Sequence, residues 1–406
     1  MARPKKSAAS EVAVVEKKEG KELSPADRAK KLAAILAKVS SKGNEMFGEG
    51  ALFRGGDGPQ MDVEAISTGS LSLDNAIGIG GLPKGRIVEI SGPEASGKTV
   101  LSLSTIAEVQ RNGGVAAFID AEHALTPDWC RSIGVDFDNL LISQPESGEK
   151  ALSTMKYLVE TGLIDIVVLD SVAALVTQRE IDGDMDANHM ALTARLMSLA
   201  LKKLTPIVSK SKTCCIFINQ IRENVGQMFG NKETTPGGKA LKFYSSVRLR
   251  ANKTFKGEKF SGTGEEKVQI GHNVTVKVLK NKVAPPFRAA SFDLYYTSGV
   301  DQDSEVRDLA LKKGIVEKAE TGNKHTFEEL EWPSRKAFDT AIGEDAELLK
   351  RLKDKVVEAM KTKKIDLEPL AVKEIDGKLV DIETGDWLDV DAGGDGVAEV
   401  MEDGNE

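Results

Sequence analysis

A chain of 406 residues, 40% apolar and 29% charged, has room for a large core and one or two smaller modules and has the balance of a soluble globular protein. No apolar run approaches the roughly 20 residues needed to cross a bilayer, and the basic start MARPKKSAAS has no apolar stretch after it, so a cytoplasmic protein without a membrane partner is expected. The net charge of −8 does not exclude nucleic acid: ten acids and no base follow Lys378, and setting them aside leaves about +2 on the first 378 residues.

Residues 1–21, rich in Lys, Glu, Ala and Ser, are expected to be disordered. Residues 22–60 hold a helix and a linker. In SPADRAKKLAAILAKVSSKG, Ser24 suits the N-cap, Pro25 the first helical position and Gly43 the end. Leu32, Ile35, Leu36 and Val39 form an apolar stripe, which covers either its own domain or a neighbouring subunit. The Gly-rich stretch GEGALFRGGDGPQ then separates this helix from the core.

Residues 61–300 form the core. GRIVEIS, VAAFID, NLLIS, DIVVLD and TCCIFIN are short apolar runs, and helical stretches such as TVLSLSTIAEVQRNG and GEKALSTMKYLVETG separate most of them. Continuous apolar strands alternating with helices predict an α/β fold whose parallel sheet is covered on both faces. SSVRLRAN, NVTVKVLKNKV and RAASFDLYYT alternate in polarity and predict an antiparallel extension. Residues 301–378 turn helical and predict a small C-terminal domain, and 379–406 read as an acidic disordered tail. Cys130, Cys214 and Cys215 have no metal-ligand spacing and are expected reduced and buried.

GPEASGKT, residues Gly92, Pro93, Glu94, Ala95, Ser96, Gly97, Lys98 and Thr99, follows a strand and opens a helix at Val100. That is a phosphate loop: backbone N–H groups and the helix N-terminus cradle phosphate oxygens, Lys98 brings a point charge and Thr99 a hydroxyl for Mg²⁺. DIVVLD delivers Asp170 at a strand end beside it, a second magnesium group, although a strand-terminal Asp can also only cap a turn. Glu122 in FIDAEH can polarise a water attacking the terminal phosphate. His123 and His189 have no ligand partners at useful spacing. Trp129 is a packing residue or a surface for adenine.

Gln220 ends the strand TCCIFINQ, and a long segment rich in Gly, Asn and Thr begins directly after it. Loops of that length are uncommon in compact domains and are usually functional or mobile. One whose root touches the nucleotide can switch with it. Its content suits nucleic acid: Arg222 and Lys239 for phosphate, Gly237 and Gly238 for close backbone approach, Val225 and Phe229 as apolar wedges. A second loop, EIDGDMDANHMALTARL, runs into a helix with Arg195 and Lys202.

The chain resembles the RecA family, the bacterial-type ATP-dependent homologous recombinases. Beside GPEASGKT, the stretches that carry the resemblance are ISTGSLSLDNAIGIGGLPKGRIVEI, FIDAEHAL, VLDSVAAL, FINQI, MFGNKETTPGGKALKFY and KVLKNKVAPPF, spread over about 55–320. The resemblance implies a RecA-like ATPase core with a protruding N-terminal helix and a small α/β C-terminal domain. It implies a helical filament on single-stranded DNA, ATP between subunits, and strand exchange with homologous duplex DNA. By matching position, Glu122 is the general base, Gln220 the γ-phosphate sensor, and Lys280 and Lys282 reach a neighbour's nucleotide. Phe243 falls at the subunit interface, and Trp129 and Tyr296 at the adenine. Arg195, Ser198, Lys202, Arg222, Gly237, Gly238 and Lys239 fall on the DNA backbone, with Met190 and Val225 between bases. An SOS repressor, a single-strand-binding protein and loader proteins are the further partners it suggests. The chain departs from the family at Thr126, Trp129, Glu223, Asn224 and Pro236. A ring helicase or another repair or clock ATPase of the same fold, and a non-catalytic filament scaffold, are the competing readings.

Overall fold

The computed structural model describes residues 30–35, 63–183, 191–223, 233–262, 266–319 and 323–361, and beyond them the backbone of four short strands. It divides into two units, 1–62 and 63–406. In the first, residues 30–35 are helical (α1), with Leu32 and Ile35 exposed. The rest of the expected helix lies outside the described residues.

The second unit opens with β1 (Ala65–Ile66), α2 (Leu71–Ile77), β2 (Leu82–Pro83) and β3 (Ile87–Gly92), then α3 (Lys98–Arg111), β4 (Ala116–Asp120) and α4 (Pro127–Ile133). It continues through β5 (Leu141–Ser143), α5 (Gly148–Glu160), β6 (Ile166–Asp170), α6 (Gln178–Ile181) and α7 (Leu192–Ser211) to β7 (Cys214–Gln220). A ribbon of β8 (Arg222–Glu223) and β9 (Glu233–Thr234) precedes α8 (Ala240–Tyr244), β10 (Val247–Ser261), β11 (Val268–Asn281), β12 (Ala289–Tyr295) and β13 (Gly299–Val300).

One nine-stranded sheet in the order β13-β12-β11-β10-β3-β7-β6-β4-β5 holds the unit together. From β10 to β5 every pairing is parallel, and from β10 to β13 every pairing is antiparallel. The apolar runs therefore read as they do because both faces are covered. Val88, Ile90, Val168 and Ile218 face α2, α3 and α4, while Ile87, Val167, Leu169 and Phe217 face α5 and α7. The cysteines are reduced and buried, and burial pushes the Cys214 thiol up to about 12.

This arrangement positions the site. The carboxyl ends of β3, β4, β6 and β7 emerge side by side, and ligands of open α/β sheets bind outside those ends. Past β13 come α9 (Gln302–Lys312), β14 (Glu317–Lys318), β15 (His325–Phe327), β16 (Leu330–Trp332), α10 (Arg335–Glu344) and α11 (Ala346–Lys361). They enclose a separate core of Val306, Phe327, Phe338, Ile342, Leu352 and Val356.

Four short strands fall in the C-terminal stretch. β17 (Val372–Ile375), β18 (Lys378–Asp381), β19 (Trp387–Asp389) and β20 (Glu399–Val400) pair antiparallel. Composition hides these strands. Acids dominate the count, yet Leu379, Val380, Trp387, Leu388 and Val400 hold strand positions among them.

Candidate functional site

The phosphate loop joins β3 to α3. Gly92 is required sterically: a Cβ there would stand 2.3 Å from the Ala251 carbonyl oxygen and 2.6 Å from Ser96 Oγ. Gly97 has φ +85° and precedes the first turn of α3, which no side chain caps. The free N–H groups of that turn and the helix dipole make an anion seat. Lys98 is buried and its Nζ donates to the carbonyls of Gly92 (3.1 Å) and Pro93 (2.6 Å). Burial lowers its pKa, and Asp170, Glu122 and Glu94 oppose that. Ser96 Oγ is buried with no hydrogen-bond partner, and a phosphate oxygen would satisfy it.

Asp170 ends β6 level with Asp120 at the end of β4. Thr99 Oγ1 donates to Asp170 Oδ2 at 2.6 Å. Burial pushes the Asp170 carboxyl up to about 6; Glu122 and Asp120 push the same way, against the Thr99 hydrogen bond and Lys98. A carboxylate so unwilling to ionise alone is suited to a cation. Among the described residues no group of three or more His, Cys, Asp or Glu could hold a metal by itself. A hydroxyl and one carboxylate fit Mg²⁺, which keeps waters and shares substrate phosphates.

Two residues here escaped the sequence reading. Ser171, fully buried, donates its hydroxyl to Glu122 Oε1 at 2.6 Å and orients the exposed carboxylate. Asp120 accepts from the backbone of Ala124 and Leu125 and from Gln144, building the turn that carries Glu122. Its only signal was a second acid at a strand end. Gln220 sits directly across from Gly92 in the β3–β7 register, and the next amide, Ile221, donates to the Gly92 carbonyl at 3.3 Å.

Trp129 and Tyr296 come together, with Trp129 Nε1 donating to the Tyr296 carbonyl at 2.9 Å. Thr126 is the N-cap of α4 and makes no side-chain capping bond. Arg195, Ser198 and Lys202 lie exposed along one side of α7 and line a shallow groove with Ala191, Ala194 and Leu199. Gly237 and Gly238 have φ of +78° and +74°. Added Cβ atoms would meet Val172 Cγ1 at 2.6 Å and Ala194 Cβ at 2.9 Å, so only glycine lets this segment lie against α7. Lys239 is exposed beside them. Met190, Val225 and the side chain of Arg222 lie outside the described residues.

Lys280 and Lys282 are not brought to their own chain's phosphate loop. Lys280 is level with Arg248, and Arg248 with Glu89, three residues and about 10 Å short of Gly92 along the strand. Its Nζ donates to the carbonyls of Lys242 (2.7 Å) and Phe243 (3.2 Å). Burial, Lys282 and Arg248 lower its pKa, against Glu89. Lys282 is exposed, and Phe243 is 67% exposed.

A phosphate loop on a central parallel strand, acids at the two strand ends next along the sheet and a polar strand end beside it define a P-loop nucleotide hydrolase. The family model for the RecA N-terminal domain matches residues 31–301. Protein RecA of Heliobacterium modesticaldum is 57% identical over 290 residues, 71% of this chain and 82% of that one. Protein RecA of Clostridium acetobutylicum is 54% identical over 291 residues, 71% and 81% of the two chains. Protein RecA of Staphylococcus aureus strain JH9 is 52% identical over 296 residues, 72% and 82%. A solved RadB recombinase chain overlaps at TM-score 0.44 and 22% identity, over 58% of this chain and 98% of its own.

The chain belongs to the RecA family. It is a DNA-dependent ATPase that carries out homologous pairing and strand exchange in DNA repair, binding DNA as a filament-forming protein. The ring-helicase and scaffold readings fall with that assignment. Among the described residues no helix is long and apolar enough to cross a membrane.

Proposed function

We propose that Gly92–Val100 binds the phosphates of ATP, with Trp129 and Tyr296 at the adenine, and that single-stranded DNA lies along α7 and Gly237–Lys239. The observation that carries this reading is the 2.6 Å contact between Thr99 and Asp170, beside a buried lysine and an uncapped helix N-terminus. Thr99 and Asp170 hold Mg²⁺, which when bound supplies positive charge to phosphate oxygens. Lys98 exchanges its two carbonyl partners for phosphate. Glu122, steadied by Ser171, accepts a hydrogen bond from the attacking water and draws its proton. Gln220 donates to the terminal phosphate, and the DNA segment moves with it.

Arg195, Ser198, Lys202, Arg222 and Lys239 hold DNA phosphates, Gly237 and Gly238 let the backbone approach, and Met190 and Val225 enter between bases. Partners are then single-stranded DNA, homologous duplex DNA and further copies in a helical filament. An SOS repressor, a single-strand-binding protein and loader proteins are further partners, in the cytoplasm. Lys280 and Lys282 serve the nucleotide of the next subunit, since Lys280 lies level with Glu89, about 10 Å short of its own loop along the strand.

Mixing tests this. Subunits carrying Lys280→Ala and Lys282→Ala keep Glu122, and subunits carrying Glu122→Gln keep both lysines. Each form alone is expected to hydrolyse ATP poorly on single-stranded DNA. In an equal mixture about one interface in four joins an intact loop to intact lysines, so activity returns. A mixture as inactive as its parts would refute the placement of the lysines in trans.

A further inference from the structure

Below the nucleotide end of the sheet, the face covered by α7 and α8 carries three polar residues, Glu89, Asn219 and Arg248, that the proposed reaction leaves without a task. Glu89, fully buried, interrupts the otherwise apolar middle of β3. Its Oε2 accepts from Arg248 Nε at 2.5 Å and its Oε1 from Asn219 Nδ2 at 3.2 Å. Asn219 is also fully buried and stands directly before Gln220. The same amide nitrogen donates to the Pro236 carbonyl at 3.2 Å, and Pro236 leads into Gly237 and Gly238 against α7. At the other end Arg248 is the cross-strand neighbour of Lys280, whose ammonium holds the end of α8.

Packing alone does not account for these three residues. A buried ion pair is often no more stable than apolar residues of the same volume. Asn219 Oδ1 is buried with no donor, and an unsatisfied amide oxygen is costly. Leucine at 219 would avoid that cost. What leucine cannot do is hold a carboxylate and a loop carbonyl with one nitrogen.

We propose that Asn219 is a positioning residue that ties the exit of the DNA-contacting segment, at Pro236, to the strand that ends in Gln220, with buried Glu89, paired to half-buried Arg248, fixing its amide and extending the tie to Lys280. The proposal rests on the reading of Gln220 as the nucleotide sensor. A shift of Gln220 along β7 carries Asn219 with it, because they are consecutive. The amide passes the shift to Pro236, and the close packing of Gly237 and Gly238 on Val172 and Ala194 passes it to the DNA-facing side of α7. The idle Oδ1 gives the amide a spare acceptor in a second arrangement.

The test compares Asn219→Leu and Gln220→Ala with the parent. Affinity for a fluorescent ATP analogue is measured, with DNA-free hydrolysis and single-stranded DNA affinity with and without ATP. For Asn219→Leu the expected result is nucleotide affinity and DNA-free hydrolysis within about twofold, and a loss of at least tenfold in the ATP-induced gain in DNA affinity, a coupling measured as a difference. Asn219→Ser, too short to reach Pro236, is the second variant and is expected to lose the same gain. If Gln220→Ala loses the gain and both Asn219 variants keep it, the tie is wrong and the sensor reading stands. If nucleotide affinity falls together with the gain, the role is structural and the proposal is overturned. If Gln220→Ala itself keeps the gain, the sensor reading falls first and the tie with it.

Discussion

Asp170→Asn is expected to make the nucleotide-free protein more stable while impairing its use of nucleotide. Asp170 is 6% exposed, and its carboxyl is raised from 3.8 to about 6, burial being the largest cause. At 1.36 kcal/mol per pKa unit, the folded protein above that pH carries about 3 kcal/mol against ionised Asp170. The folded value lies above the unfolded one, so the penalty is absent below pH 3.8, grows up to about pH 6 and is constant beyond. Asparagine keeps the shape and an oxygen for Thr99 but never ionises. Denaturant unfolding without nucleotide, run from about pH 4 to pH 7.5, should show the variant ahead by roughly 2–3 kcal/mol at the upper end and level at the lower. Magnesium-dependent affinity for ATP should fall at least about tenfold, because one of two cation oxygens loses its charge. A parent more stable than the variant at neutral pH, or a gap indifferent to pH, would refute the reasoning.

Glu122→Gln should slow hydrolysis on DNA by about 10²–10⁴-fold with ATP-dependent filaments retained, because phosphate binding rests on other groups. Loss of DNA-bound filaments at saturating ATP, seen by electron microscopy, contradicts that role. Truncation after Lys378 removes ten acids and no base, together with most of β18 and all of β19 and β20. A tethered polyanion competes with DNA phosphate for basic surface, so the truncated form should bind duplex DNA more tightly at low salt and need less Mg²⁺ for strand exchange. Equal affinities across a salt and magnesium series leave the tail as a solubility element only.

Local order made the nucleotide site legible. GPEASGKT is contiguous, and its glycines answer to contacts within the loop and to the strand beside it. Asp170, Glu122 and Gln220 stand at or just past the ends of apolar runs, and a parallel sheet delivers such positions to one edge. The parallel core was readable for the same reason, since strands buried on both faces are continuously apolar. What sequence could not supply was which strands are neighbours. Glu89 reads as a flaw in GRIVEIS until β3 lies between β7 and β10, and only then do Asn219 and Arg248, 130 and 159 residues away, become its partners. Trp129 meets Tyr296 across 167 residues, and Ser171 reaches Glu122 across 49. Glu305 in α9 accepts from Ser70 and the first amides of α2 across 233 to 235 residues. Such bonds leave no periodic trace, because each depends on one side chain meeting one other. Chain order determined the elements and the chemistry at their ends, and the tertiary arrangement alone decided which buried charges are paired, since desolvation allows a carboxylate like Glu89 in a core only where a distant donor arrives to meet it.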